Sequence, residues 1–157
     1  MLLHVFEWLG NSALGAYIAN SNYGFAIAEI VHLLALALLG GTVLLTDLRL
    51  LGLGLRKQPV SRLAKNLSPL LSGSLVAMAI SGVLLISGEA TKCYYNPAFR
   101  LKMFLLALAV IFYFALHRRV VMTHPDRAPS AWTKAGAILS MTLWLSVGLA
   151  GRAIGVL

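Results

Sequence analysis

The sequence predicts an all-α fold, an integral membrane bundle of four transmembrane helices with a short N-terminal interfacial helix. The first observation is composition, since 59% of the 157 residues are hydrophobic and only 11% are charged, whereas a soluble domain has about 25% charged residues. The second is the presence of four apolar stretches, each close to the length that crosses a ~30 Å hydrocarbon core. Turn and cap residues separate these stretches. Together they indicate one membrane domain, residues 1–157.

Each predicted element has a local signal. Residues 2–9 are typical of an interfacial helix, and Ser21 belongs to a capping signal for the first span. Pro69 is expected at the start of the second span, Pro97 follows a turn before the third, and Ser130 is a candidate cap for the fourth. The predicted spans cover about residues 22–51, 69–87, 98–116 and 131–151.

The second span is rich in small side chains. Small residues let membrane helices approach closely, because no hydrophobic effect drives a helix out of lipid onto its neighbour. We therefore expect this helix to be central in helix contacts, through Ser72, Gly73, Ser74, Ala77, Ala79, Ser81 and Gly82.

Basic residues predict the orientation in the membrane. Four spans place both termini on one side, and basic residues favour the cytoplasmic side. Nine lie around the loops after spans one and three, and four lie at the other side: Arg49, Arg56, Lys57, Arg62, Lys65, Arg118, Arg119, Arg127 and Lys134 against Lys92, Arg100, Lys102 and Arg152. The sequence thus predicts a multi-pass protein of the bacterial inner (cytoplasmic) membrane with both termini periplasmic. Topology and anionic lipid account for the net charge of +8, so no nucleic-acid partner is expected.

The first span carries ionisable residues inside its apolar run. Glu29 and His32 lie inside the run, and Asp47 lies where it ends. Together with Gly40 they share one helical stripe, where Gly40 leaves room for a partner helix or a flat ligand. Ionisable groups at this depth are costly and commonly hold a ligand or pair with each other. His32 is a candidate haem-iron ligand, and Glu29 is a candidate for fixing its tautomer or passing a proton. The alternatives are a hydrogen-bonded packing histidine and a structural Glu–His or Glu–Lys pair.

Further candidates complete this predicted site. Arg100, Lys102 and Arg152 belong to the same outer third of the bundle, where they could hold two haem propionates; separately, each is typical of a helix-end residue whose charged tip reaches the membrane surface. Met78 and Met141 lie near mid-membrane, and a thioether is also a haem ligand. A lone methionine in a span is more often a packing residue.

The remaining polar residues have simpler interpretations. His117 is expected to anchor the opposite end of the third span, too far from His32 to share one iron, and His4 and His124 look like surface residues. Cys93 is alone, so it forms no intrachain disulfide and is expected to be a loop residue. No nucleophile–base, phosphate-loop, HExxH or CxxC motif occurs, which leaves open whether the protein is an enzyme.

Three segments carry a resemblance. EIVHLLALALLGGTVLLTDLRLLGLG, EATKCYYNPAFRLKM and AGRAIG together resemble an uncharacterised family of small bacterial four-helix membrane proteins over nearly the whole chain. More distantly, a histidine in the first span and a lysine in the third are similar to the copper-resistance protein D domain and to the haem-binding membrane protoporphyrinogen oxidase. That resemblance implies a haem-ligand position at His32 and the third-span lysine at Lys102.

These observations favour a haem b-binding membrane protein that transfers electrons, with a periplasmic partner and quinone as candidate partners. The first alternative is a cofactor-free accessory subunit of a larger membrane complex, in which the polar stripe only pairs helices. The second is a copper or small-solute transporter, which has less support because no Met- or His-rich entry segment occurs.

Overall fold

The computed structural model describes residues 2–21, 23–53, 58–122 and 130–154 of the chain, without the side chains of Leu2 and of residues 117–122. The described residues form helices and no strands, which confirms the all-α fold. Four of the helices are long and apolar enough to cross a membrane. The helices are α1 (Leu2–Gly10), α2 (Ala13–Asn20), α3 (Gly24–Leu50), α4 (Val60–Gly88), α5 (Ala90–Tyr95), α6 (Pro97–Met122) and α7 (Ala131–Ile154).

The helix termini follow local chemistry. Ser12 Oγ accepts a hydrogen bond from the backbone N–H of Gly15 at 3.0 Å, and Ser21 does the same for Gly24. Asn96 Oδ1 accepts from the backbone N–H groups at the start of α6, and proline follows at the first helical position, where its missing N–H costs nothing. These contacts fix α2, α3 and α6 where the sequence predicted breaks.

Two predicted boundaries differ from the structure. The second long helix begins at Val60, nine residues before the predicted start, so Pro69 lies inside the helix instead of opening it. A proline in a helix removes one backbone hydrogen bond, which membrane helices tolerate. The region before the third span, predicted as a loop, contains the short helix α5, and the N-terminus forms two helices instead of one.

The four long helices pack as a ring in the order α3, α4, α6, α7. α3 packs mainly on α4, and α6 mainly on α7, so α3 and α6 face each other across the diagonal. The short helices α1, α2 and α5 all contact α4 at one end, which we call the α5 end, and α1 also contacts both α2 and α5. The backbone carbonyl of Ile154 accepts a hydrogen bond from Asn96 Nδ2 there, so α7 also ends at the α5 end.

The interior consists of two polar layers separated by an apolar one. Leu39, Val43, Ala109 and Val147 fill the middle and are 1% exposed or less. The outward-facing side chains are mostly large and apolar, such as Ile80, Phe104 and Ile111. An apolar exterior around polar interior layers is what a lipid environment requires. The chain is therefore a multi-pass membrane protein.

Candidate functional site

His32 lies in the interior of the bundle near the α5 end. Its side chain is 9% exposed, and Nδ1 lies 3.0 Å from Oγ of Ser81 on α4. The Ser81 hydroxyl donates its single proton to the backbone carbonyl of Ala77 at 2.7 Å. With that proton on the carbonyl, Ser81 accepts from His32, which corresponds to the tautomer with the imidazole proton on Nδ1 and the lone pair on Nε2; the Met78 backbone is a second hydrogen-bond partner of the ring.

A glycine lets the imidazole lie against α4. A Cβ atom added to Gly82 would stand 3.4 Å from Cε1 and 3.8 Å from Nδ1 of His32, so any larger side chain would push the ring away. The predicted small-residue face of the second span thus has a definite use here. It brings the α4 backbone close enough for Ser81 to reach the ring.

Lys102 faces His32 from α6 across the diagonal of the bundle. It is half-buried, and its charge acts on the His32 ring. Its Cε and Nζ atoms lie 3.5 Å from the place of a Cβ on Gly151 of α7, so a second glycine makes room for this side chain. No ion pair joins Lys102 to a carboxylate within the described part of the chain. A buried cation without a counter-charge is costly, and an anionic ligand group would remove that cost.

The other predicted members of the site lie apart from this interior. Glu29 is exposed, and Ser81 rather than Glu29 or Ser74 is the partner of His32 Nδ1. Arg100 is exposed and donates from Nε and Nη2 to the backbone carbonyl of Tyr94 at 3.2 and 3.1 Å. Its guanidinium also stacks 5.2 Å above the Tyr94 ring.

Arg152 and Met78 have different surroundings again. Arg152 is exposed in the last turn of α7. Met78 is 4% exposed and belongs to the apolar core with Leu39, one turn before Ser81 on α4. Of the three predicted basic partners, only Lys102 extends into the interior beside His32.

The remaining histidines do not join His32. His4 is exposed on α1 and lies 3.8 Å from Glu7. The side chain of His117, and all of His124, lie outside the described residues. The described residues contain no group of three or more His, Cys, Asp or Glu that could hold a metal ion.

An apolar groove of about 370 Å³ lies between α3 and α7. Gly40 and Gly148 line it, and a Cβ added to either would meet nothing within 4 Å. The groove is open at Gly40, and the predicted partner helix or flat ligand there stays a prediction. Met141 lines the groove and His32 does not, so these two residues do not share it.

Cys93 lies in α5, where the sequence predicted a loop. Its side chain is buried, and burial raises the pKa of the thiol above its ordinary value, with the nearby Glu89 carboxylate acting in the same direction. Thiolate is the reactive form of cysteine. Cys93 is therefore a packed, unreactive thiol.

Fold and interior together define a class, the multi-pass membrane proteins with a buried imidazole and a half-buried amine inside a four-helix bundle. Residues 5–157 match DUF6644, a family of unknown function, and the chain belongs to that family. Comparison with curated proteins and with solved structures gives no match. The distant resemblance to the copper-resistance protein D domain and to protoporphyrinogen oxidase therefore has no support from these comparisons.

Proposed function

We propose that this protein binds haem b in the membrane through His32 and passes electrons, from a periplasmic partner to quinone or in the reverse direction. The observation that carries the proposal is the hydrogen bond between His32 Nδ1 and Ser81 Oγ, at 3.0 Å. Histidines that bind metals usually donate their other ring N–H to a neighbouring acceptor, which fixes the tautomer and makes the free nitrogen a better ligand. His32 has this arrangement.

The residues around His32 fit the chemistry of the group. Haem supplies a metal centre that gains and loses one electron. Its propionates are anions, and Lys102 offers a cation with no carboxylate partner in the described part of the chain. Gly82 and Gly151 let the imidazole and the amine lie close to α4 and α7. Met78 would be the candidate for a second iron ligand.

The exposed polar residues have a secondary role in the proposal. Glu29 and Arg152 are exposed on α3 and α7, at the end of the bundle that carries Lys102. There they would meet headgroups, water or a redox partner. Arg100 is held by Tyr94, so in the proposal Lys102 is the main propionate partner. The placement of this end in the periplasm of the bacterial inner membrane belongs to the same proposal.

The test is the visible absorption spectrum of the purified protein. Wild type and His4→Ala should show a haem Soret band, because His4 is an exposed residue outside the interior. His32→Ala should lose the band while its helix content stays unchanged. Haem retained at full occupancy in His32→Ala would overturn the ligand assignment. A wild-type protein that shows no Soret band even after incubation with haem would overturn the proposed function.

A second variant tests the propionate role. Lys102→Ala should weaken haem retention without loss of helix content. Lys92→Ala is the matched control, because Lys92 is an exposed lysine at the same end, paired with Glu89 at 3.2 Å. Equal haem loss in both variants, or loss of helix content together with haem, would show that Lys102 has no specific role in binding.

One observation favours a second function, that of a cofactor-free subunit of a larger complex. The groove between α3 and α7 is apolar. Its glycines, Gly40 and Gly148, would let a helix of another subunit approach closely, as in the pairing of membrane helices. Under this alternative the His32–Ser81 bond only joins two helices. Purification in mild detergent would then give a stoichiometric partner and no Soret band.

A further inference from the structure

A carboxyl group lies in the second polar layer, at the end of the bundle opposite α5. Asp47 on α3 is 1% exposed, and neither of its carboxyl oxygens has a hydrogen-bond partner among the described residues. An ionised carboxylate in such surroundings is strongly unfavourable unless it is paired. Asp47 lies within the regular helix α3, so the fold itself holds the carboxyl in these surroundings.

Two further polar atoms without partners lie in the same region. Ser140 on α7 is next to Asp47 and is 1% exposed, yet its hydroxyl is not at hydrogen-bonding geometry with any described group. The indole N–H of Trp144, one turn along α7, also lacks a partner. Buried polar groups without partners are rare in native proteins, and three on one helix pair need a physical explanation.

These groups can satisfy either state of a carboxyl. The Ser140 hydroxyl can donate to a carboxylate, and it can also accept from a carboxylic acid. Trp144 can only donate, which suits an acceptor oxygen of the acid or of a bridging water. The apolar layer above them favours the neutral acid. A cation would need about six or more oxygen ligands and would be repelled by the indole N–H, so the donor set fits a proton better.

Among the described residues, no charged side chain pairs with Asp47. Tyr113 of α6 is the titratable group that faces it among the described residues, and it lies beside Thr46. Arg49, on the same helix, donates to the backbone carbonyl of Gln58 at 2.8 Å. The charged residues described on α4 and α7 near this end, Arg62, Lys65 and Lys134, are exposed.

We propose that Asp47 is a proton-exchanging carboxyl, which takes up and releases one proton inside the membrane, and that the adjacent Ser140 hydroxyl turns to form a hydrogen bond with it. The step is balanced, because the carboxylate gains a proton from water and returns it to water. Asp47 lies 15 residues from His32 along α3, about 22 Å at 1.5 Å per residue, and the apolar layer separates them. The site therefore stands whether or not His32 binds haem.

Infrared difference spectroscopy in lipid vesicles tests the proposal. The chain has two aspartates, Asp47 and Asp126, so Asp126→Asn with ¹³C-labelled aspartate leaves Asp47 as the sole labelled carboxyl. We expect an isotope-shifted carboxylic-acid band that disappears reversibly as the pH is raised. Asp47→Asn should abolish the band, and Glu29→Gln, which changes an exposed acid on the same helix, should leave it in place.

Ser140→Ala provides a variant that keeps the carboxyl, so the test does not depend on whether Asp47→Asn folds. It should move the acid band to higher wavenumber, because a carbonyl that loses a donor stretches at higher frequency. Absence of an aspartic-acid band at every pH, or a band that never titrates, would overturn proton exchange. Loss of the band on adding sodium ions at constant pH would replace the proton site by a cation site.

Discussion

Removing the Ser81 hydroxyl should show how much the hydrogen bond to His32 contributes to stability beyond ordinary helix packing. Ser81→Ala deletes the acceptor of the His32 Nδ1 proton, the bond that joins α3 to α4. Hydrogen bonds between membrane helices contribute about 0.6 kcal/mol on average and up to about 1.7. Ser74 is the matched control, because it lies on the same helix, is 5% exposed, and donates at 2.9 Å only to Leu71 of its own helix. Such local bonds add little to helix stability, so Ser74→Ala should cost less than about 0.5 kcal/mol.

The assay is thermal unfolding in detergent. For a chain of this size 1 kcal/mol corresponds to about 2–4 °C, so Ser81→Ala should lower Tm by about 1–7 °C and Ser74→Ala by less. A cycle with His32→Ala isolates the pair, and the double variant should be less destabilised than the sum of the singles. If haem is bound, Ser81→Ala should also weaken its retention, by about 10–100-fold for loss of a partner that orients a ligand. Equal Tm values for the two serine variants, with no coupling in the cycle, would refute the reasoning.

Three further outcomes follow from the structure. Gly82→Val should displace the His32 ring and cost about 1–3 kcal/mol, whereas Gly73→Val, which meets nothing within 4 Å, should cost less in the same unfolding assay. Cys93 should react slowly with maleimide at neutral pH and faster as the pH rises or the protein unfolds, because burial raises its pKa and only the thiolate reacts; fast labelling of the folded protein at neutral pH would contradict this. A reporter fused to the C-terminus should read as periplasmic, and a cytoplasmic signal there would reverse the predicted orientation.

The helical elements and most of their ends follow from the sequence alone. Apolar length and composition determine a spanning helix, because the bilayer core sets the number of residues needed. Ser21 and Asn96 mark helix starts because their caps bond to backbone groups only a few residues away. The prediction that Pro69 begins the second span was wrong, because a proline is compatible both with the first turn of a helix and with the interior of a membrane helix. Only packing against neighbouring helices decides between these two.

The interior sites depended on contacts between distant parts of the chain. Periodicity placed Glu29 and His32 on one stripe of α3, but it cannot say where a neighbouring helix ends, and Glu29 is exposed while His32 is buried. The partner of His32 is Ser81, 49 residues away, because the register of α4 against α3 brings that serine to the ring. In the same way, Asp47 reads in the sequence as the polar end of a span. In the structure, α7 packs against α3 and closes the ring of four helices. This contact buries Asp47 and places Ser140 next to it.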